Sequence, residues 1–399
     1  MSEAADLPVR TAIFQARPRP RPRDRKAQII AAAADLFRQH GFHRVTLADV
    51  ADAVGISAPA IYRHVRNKQE LLLAAVRDGL DSLEEAVRAA ANIYELVTAL
   101  VDFSMQHTGL AALWQREARH LPDAERAQAR SRLTGLVRQI TAFIGDERRE
   151  LSEADAELLA WSLLGVLAGA ATREPAIRQP RREELAYAIA HAVPQCTLRT
   201  ESTGAVVERG HHQANLDTRR EQLLNAAIEL FDRRGYGSVS MNDIGAAVGM
   251  AGPSVYKHFG AKTDLLVAAM VRGNERLHAG IPLIHETIDP QESLQILLRS
   301  HIEFSVRNSH LIGLLISERD QLPEHERAAT YRLQDDYLRV WVRVVAQAIP
   351  GHDPRELALR VNAVFTVINN LVRTGNAHRR ADLSTRLTEL AIAILVAGT

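Results

Sequence analysis

One pattern of about fifty residues occurs twice in this chain, and the repeat constrains the fold more than any other feature. Sliding the 399-residue sequence against itself by 194 residues aligns 25–75 with 219–269 without a gap, and about twenty pairs are identical. A second echo follows at a spacing of 201, where LWQREARHLPDAER from Leu113 matches LLISERDQLPEHER from Leu314. Two copies are too few for a solenoid, which stacks more repeats of shorter period. The sequence therefore predicts a tandem duplication of whole domains.

Both copies have the sequence pattern of helices. Ala, Leu, Arg and Glu dominate, apolar residues recur at spacings of three and four, and no alternating strand pattern stands out. Ile29, Ala33 and Phe37 line one face of the first helix in this way. The periodicity is lost over 194–216, which is typical of a linker. We therefore predict an all-α fold.

The repeated segment contains start and stop signals for three short helices. Thr46 is followed three residues later by Asp49, as in a capping box at a helix start. That second helix ends at Gly55, and Ser57 is expected to cap the third helix. In the second copy, Gly252 is expected to take the capping position. A short helix, a glycine turn and a third helix form the layout of a helix-turn-helix.

Both copies resemble the N-terminal DNA-binding domain of TetR-family transcriptional regulators. Thr46–Lys68 follows the family pattern T-x-x-x-[IV]-A-x-x-x-G-[IV]-[ST]-x-x-x-[IL]-Y-x-[HY]-[FV]-x-x-K almost completely. Ser240–Lys262 departs at Gly245, Met250 and Ala251 but keeps the Tyr, His, Phe and Lys. The resemblance implies two tandem TetR-like units, each an N-terminal three-helix domain followed by a helical ligand-binding and dimerisation domain.

The repeat and the resemblance divide the chain into six parts. We use "head" for each helix-turn-helix domain and "body" for each ligand-binding and dimerisation domain. A basic arm rich in Pro and Arg comes first and is expected to reach the minor groove or the phosphates. In chain order the predicted parts are the arm (1–22), first head (23–75), first body (76–193), linker (194–216), second head (217–269) and second body (270–399).

The resemblance also implies which side chains contact double-stranded operator DNA. Phosphate contacts fall to Thr46, Tyr62 and Lys68 and, in the second head, to Ser240, Tyr256 and Lys262. Base reading falls to Ser57, Ala58, Ala60, Arg63 and His64, and to Ala251, Gly252, Ser254, Lys257 and His258, with Pro59 and Pro253 inside the same helices. Among these residues, Arg63 is best suited to a guanine edge, which it would grip with two hydrogen bonds.

Each body is expected to enclose a small-molecule effector. Aromatic and polar side chains at helical spacing would line the two sites: Phe103, Met105, His107, Trp114 and Trp161 in the first, and Phe304, His310, Tyr331, Tyr337 and Phe365 in the second. Such residues also occur as plain core. The LWQREARHL stretch resembles regulators of lipid or sterol metabolism, which favours an apolar ligand such as an acyl thioester or a sterol derivative. Binding would change the angle between the heads and release the DNA.

A chain with two heads is expected to form within itself the dimer that this family ordinarily builds from two chains. The small residues Gly165, Ala168 and Gly169 would allow close helix approach. Since the heads differ, the predicted operator is asymmetric; a homodimer with four heads is the competing arrangement. The predicted four-helix interface comprises 153–172 with 182–193, and 354–375 with 383–397.

Composition narrows the remaining possibilities. The net charge is only +1, and Cys196, expected to be exposed, is the only cysteine, so an intrachain disulfide is excluded. Without a membrane-length apolar run or a signal sequence, we expect a cytoplasmic protein with no membrane partner. Glu117 with His120, and the pair His211-His212, are too sparse for catalysis or metal binding, so neither an enzyme nor a cofactor is expected. The alternative functions are a ligand-independent regulator or an activator with only one competent head.

Overall fold

The computed structural model of the chain describes residues 22–107, 110, 113–170, 177–199, 218–284, 289–374 and 376–398, and over these ranges it contains helices and no strand. The all-α prediction is confirmed. The first copy comprises α1 (Pro22–His40), α2 (Leu47–Ala53), α3 (Ala58–Ile61), α4 (Lys68–Ala89), α5 (Ile93–Gln106), a π-helical turn (Leu113–Glu117), a 3₁₀ turn (Ala118–His120), α6 (Asp123–Glu147), α7 (Glu153–Ala170) and α8 (Gln179–Ala192).

The second copy repeats this order with small changes. It comprises α9 (Arg219–Arg234), a 3₁₀ turn (Tyr236–Ser238), α10 (Met241–Ala247), α11 (Gly252–Val255), α12 (Lys262–His278), α13 (Ile281–Ile284), α14 (Pro290–Arg307), α15 (Ser309–Ser317), a 3₁₀ turn (Arg319–Gln321), α16 (Glu324–Ala348), α17 (Pro354–Leu371), a 3₁₀ turn (Ala377–Arg379) and α18 (Leu383–Leu395). The predicted arm lies outside the described residues, except for Pro22.

Local sequence signals explain where most head helices begin and end. Thr46 starts α2 through a capping box with Asp49, and Ser240 starts α10 in the same way. Ser57 precedes α3 but makes no side-chain capping bond, and Gly252 lies inside α11 rather than before it. The caps expected at the third helices are therefore not observed.

A pair of facing helices joins the two halves. α7 packs along α17, and a methyl group added to Gly165 would lie 3.1 Å from the Cα of Val367. One added to Gly169 would lie 3.2 Å from the Cα of Ala363. Backbones this close leave no room for a side chain, which explains the small residues on α7. Together with α8 and α18, these helices form the interface that the sequence predicts.

At the edge of this interface, polar side chains and the segment 194–199 make further contacts between the two halves. Asp155 of the first half accepts a hydrogen bond from Arg380 of the second at 2.6 Å. Residues 194–199, which the sequence assigns to a linker, lie against the second half, where Arg386 donates to the carbonyl of Arg199 at 2.9 Å. Cys196 is 4% exposed, not exposed as expected, because this segment packs against the body. The rest of the predicted linker, 200–216, falls outside the described residues.

Candidate nucleic-acid interface and effector cavity

Each head presents the segment from its second helix to the start of its fourth as a polar surface. The predicted DNA contacts on it are all exposed or half-buried, whereas Ile61 and Val255 point into the head. Tyr62 is 61% exposed and Tyr256 is 55% exposed. Both rings are therefore accessible at the surface of their heads.

The third helix of each head is a single short turn, and the residues after it form a tighter turn with hydrogen bonds between residues three apart. α3 ends at Ile61, and the next turn continues with the amide N–H of His64 donating to the Ile61 carbonyl at 2.9 Å. This tight turn carries Tyr62 and Arg63, both exposed. The second head repeats the turn after α11, with Lys257 in place of Arg63.

Both donors of Thr46 are occupied within its own cap. Its amide and hydroxyl groups donate to the Asp49 carboxylate at 2.7 and 2.8 Å. These hydrogen bonds hold the pKa of Asp49 below its usual value. Ser240 binds Asp243 in the same way, at 2.8 and 2.6 Å. A phosphate contact by either hydroxyl would have to replace a bond of the cap.

The ammonium group of Lys68, a predicted phosphate contact, is engaged by backbone carbonyls of its own head. Its half-buried ammonium donates to the carbonyls of Phe42 at 2.6 Å and Val45 at 2.9 Å, and lies over the Phe42 ring. Lys262 donates in the same way to the carbonyls of Tyr236 and Val239, at 2.8 and 2.9 Å. Because these donors point into the head, the two lysines hold together the loop between the first and second helices.

The two heads differ in one coupled pair of positions. A methyl group added to Gly252 would lie 1.6 Å from Oδ1 of Asn242, so the Asn242 side chain occupies the space beside α11. The first head has alanines at the equivalent positions, Ala48 and Ala58. Sequence reasoning missed Asn242, although its departure from Ala48 within the repeat marks it.

Two echoed glutamates attach each head to its body. Glu117 accepts the Phe42 amide hydrogen at 3.1 Å, and Glu318 accepts that of Tyr236 at 3.3 Å. Arg119 of the first copy also pairs with Glu318 at 2.5 Å. Burial raises the pKa of Glu318 to about 7. We call these five residues the head–body joint; in the sequence, the second echo marks only its two glutamates.

The carboxylate and imidazole considered as an enzyme site, those of Glu117 and His120, lie at the head–body joint. His120 lies 3.7 Å from Glu117 and stacks on the Phe42 ring, and burial lowers its pKa to about 3. His211-His212 fall outside the described residues. Within the described ranges, no group of three His, Cys, Asp or Glu is placed to hold a metal. No described helix is long and apolar enough to cross a membrane.

The first body contains a cavity of about 90 Å³. Four of the five predicted effector residues line it, namely Phe103, His107, Trp114 and Trp161, whereas Met105 does not. Asn370 of the second half completes the wall and donates to the Trp161 carbonyl at 3.2 Å. The cavity therefore borders the interface between the halves.

The structure does not bring together the five residues predicted for the second body. Tyr337 and Phe365 stack with ring centroids 5.6 Å apart inside the body. Phe304 is buried in α14, His310 contacts Asp232 of the head, and the exposed Tyr331 donates to Asp320. Helical periodicity does not distinguish such positions, because core, surface and cavity residues share the same spacing.

A tandem pair of helix-turn-helix heads on helical bodies defines the class of protein. The family model "Bacterial regulatory proteins, tetR family" matches 29–75 and again 223–269, and the model "Tetracyclin repressor-like, C-terminal domain" matches 287–392. These matches cover about half of the chain. The chain belongs to the TetR family.

Curated relatives include both activators and repressors. The transcriptional activator FasR of Mycolicibacterium smegmatis is 31% identical over 29% of this chain and 53% of its own length. The repressor KstR2 of Rhodococcus jostii is 30% identical over 29% of this chain and 61% of its own length. The chain thus spans only about half of the curated relatives that it matches. The solved ketosteroid transcriptional regulator KstR2 of Mycobacterium tuberculosis is 21% identical over 45% of this chain and 94% of its own, with a TM-score of 0.40.

Proposed function

We propose that the chain is a sequence-specific DNA-binding transcriptional regulator that acts as a monomeric pseudo-dimer on an asymmetric operator. One observation carries the proposal: both heads attach to a single molecule whose α7 and α17 are in backbone contact. Family dimers place two identical heads about one DNA turn apart on a palindrome. The first head has Ala48 and Ala58 where the second head has Asn242 and Gly252. This difference between the heads favours two half-sites of different sequence.

Mass in solution and an operator footprint test this arrangement. We expect one chain on one duplex, with two protected major grooves whose sequences differ. Tyr62→Ala and Tyr256→Ala should each weaken operator binding, because each removes an exposed ring from one head. A dimer of chains on a perfect palindrome would refute the pseudo-dimer, and an unaffected Tyr256→Ala would favour a single competent head.

We further propose repression that ends when a small apolar ligand binds. The first cavity supports this proposal, because Asn370 of the second half forms part of its wall. A ligand that pushes on this wall shifts one half relative to the other, and the head–body joint transmits the shift to the heads. Deleting the gene should raise expression of a reporter under the operator. Falling expression would instead indicate an activator, as FasR is named.

A further inference from the structure

The two bodies differ at four equivalent core positions. At a spacing of 201, four aliphatic residues of the first copy correspond to four aromatic residues of the second. The aliphatic set is Leu100, Leu136, Ile140 and Leu164, and the corresponding aromatic set is His301, Tyr337, Trp341 and Phe365. We call the second set the aromatic plug.

The plug fills the interior of the second body. His301 stacks on Phe365 with centroids 4.6 Å apart, and its ring nitrogen lies 3.1 Å from the Tyr337 hydroxyl. Trp341, fully buried, meets Phe365 edge-on at 5.1 Å. Rings packed at these distances leave no space between them for another molecule.

The first body keeps its interior open instead. Leu164 lines the cavity where Phe365 closes the other body. Trp114, also on the wall, lies in the π-helical turn Leu113–Glu117, whereas the equivalent Leu315 lies in the regular helix α15. π-helical turns are rare and are concentrated at functional sites.

The lining of the cavity indicates the chemistry of its occupant. Among its described residues are no Lys, Arg, Asp or Glu, so a charged molecule would be buried without a partner. Nδ1 of His107 lies 3.2 Å from the Phe103 carbonyl and must carry a proton to bond it. In the tautomer with the proton on Nδ1, Nε2 is the acceptor, and it can bind one hydroxyl group.

From these observations we propose that the chain binds one effector molecule, in the first body only, and that this molecule is small, uncharged and mainly hydrocarbon with one hydroxyl group. A cavity of about 90 Å³ is of the same order as the ~150 Å³ cavity that holds benzene. The inference rests on the proposed effector role of the bodies and adds the number, the place and the chemistry of the ligand.

A groove on the second body does not share these properties. It lies between α12 and α16 and measures about 540 Å³. Glu275, His278, His325 and Glu326 are among the residues along it. Because carboxylates line this groove and none lines the first cavity, it is less suited to an uncharged, mainly hydrocarbon molecule.

The experiment titrates the intact chain with 4-fluorophenol, a benzene-sized ring with one hydroxyl, and follows binding by fluorine NMR. We expect saturation at one molecule per chain, and at least tenfold weaker binding of 4-fluorobenzoate. Leu164→Phe places the plug's ring in the first cavity and should abolish binding, while Phe365→Leu should leave the first site occupied. Two molecules per chain, or binding that survives Leu164→Phe, would overturn the proposal.

A second variant guards against misfolding. Leu133 also lines the cavity, from α6, so Leu133→Trp should block the site independently of α7. Operator affinity is measured for every variant without the probe. Chains that bind operator but take up two probes, or none, refute only the single-site inference, whereas a wild-type chain that binds no operator refutes the regulatory function itself.

Discussion

The ammonium group of Lys68 stabilises the loop between α1 and α2 by donating to three carbonyls, those of Phe42, His43 and Val45. Burial lowers its pKa, while the charges of Glu117 and Asp49 oppose that shift. The loop also carries the Phe42 amide that Glu117 binds, so the lysine and the head–body joint support the same backbone. Lys68 therefore belongs to the framework of the head.

Lys68→Met separates this role from phosphate binding. The variant removes the donor from two part-buried carbonyls and one exposed carbonyl, so the free energy of unfolding should fall by about 1 kcal/mol. The salt dependence of operator affinity should not change, whereas losing one phosphate contact would lower its slope by about 0.9. Arg63→Met, on the exposed surface, is the control and should change stability by less than about 0.5 kcal/mol. A lower slope with unchanged stability would restore the phosphate role.

Contacts between residues close together in the chain could be predicted from the sequence, whereas contacts between residues far apart in the chain could not. Thr46 and Asp49 lie three residues apart, so their cap could be predicted from spacing alone. The partners of Lys68 lie 23 to 26 residues away, and their carbonyls meet the ammonium only after the loop folds back. The same limit concealed the burial of Cys196, which depends on packing between elements.

At the scale of elements, the contact of α7 with α17 fixes the relation between the halves. Gly165→Ala places a methyl group 3.1 Å from the Val367 backbone, which no side-chain rotation can relieve. Stability should fall by about 1–3 kcal/mol, and operator affinity should fall as the helices separate.

The control for this change is another glycine within a helix. Gly145 lies in α6, and an added methyl group would meet nothing within 4 Å. Gly145→Ala should therefore maintain stability or raise it by up to about 1 kcal/mol, because alanine favours a helix. Thermal unfolding and operator titration compare the two variants. If Gly165→Ala behaves like Gly145→Ala, the close contact does not set the spacing of the heads.

The aromatic plug makes the second body sensitive to acid. Burial lowers the pKa of His301 from 6.5 to about 3. Between pH 6.5 and 3 the unfolded chain binds a proton at this histidine that the folded chain excludes. The stability that the folded chain has with a neutral His301 is therefore complete above pH 6.5 and is lost as the pH falls toward 3. At full size this loss of stability is on the order of 5 kcal/mol. His301→Leu should flatten the dependence of unfolding free energy on pH in that range.

Tyr337→Phe is the matched control for the plug. It removes the hydroxyl next to His301 but keeps the titrating ring, so its stability should still fall between pH 6.5 and 3. Urea unfolding at several pH values measures both variants beside the parent chain. Parallel curves for His301→Leu and the parent would show that the histidine is protonated without cost in the folded state.

At the scale of the whole molecule, duplication has preserved the framework while allowing the two copies to diverge. Glu117 and Glu318 make the same contact with their heads, and Thr46 and Ser240 start their helices through the same cap. The repeat therefore predicted the architecture. It could not predict that one body keeps a cavity and the other fills it, because exchanging leucine for phenylalanine leaves the hydrophobic pattern unchanged.

Converting the second head into a copy of the first tests whether the heads read different half-sites. Four reading positions change, and Gly252→Ala also requires Asn242→Ala, since the new methyl group would otherwise lie 1.6 Å from the Asn242 side chain. The complete set is Asn242→Ala, Ala251→Ser, Gly252→Ala, Ser254→Ala and Lys257→Arg. The two heads then present the same groups from one unchanged scaffold, so the preferred site in selection from random duplexes should change from asymmetric to palindromic. The same set with Asn242 retained is the control and should bind the palindrome more weakly, because the new methyl group would meet the Asn242 side chain and push α11 away from it. If the fully converted chain still selects the parent's asymmetric site, base reading does not reside in these side chains.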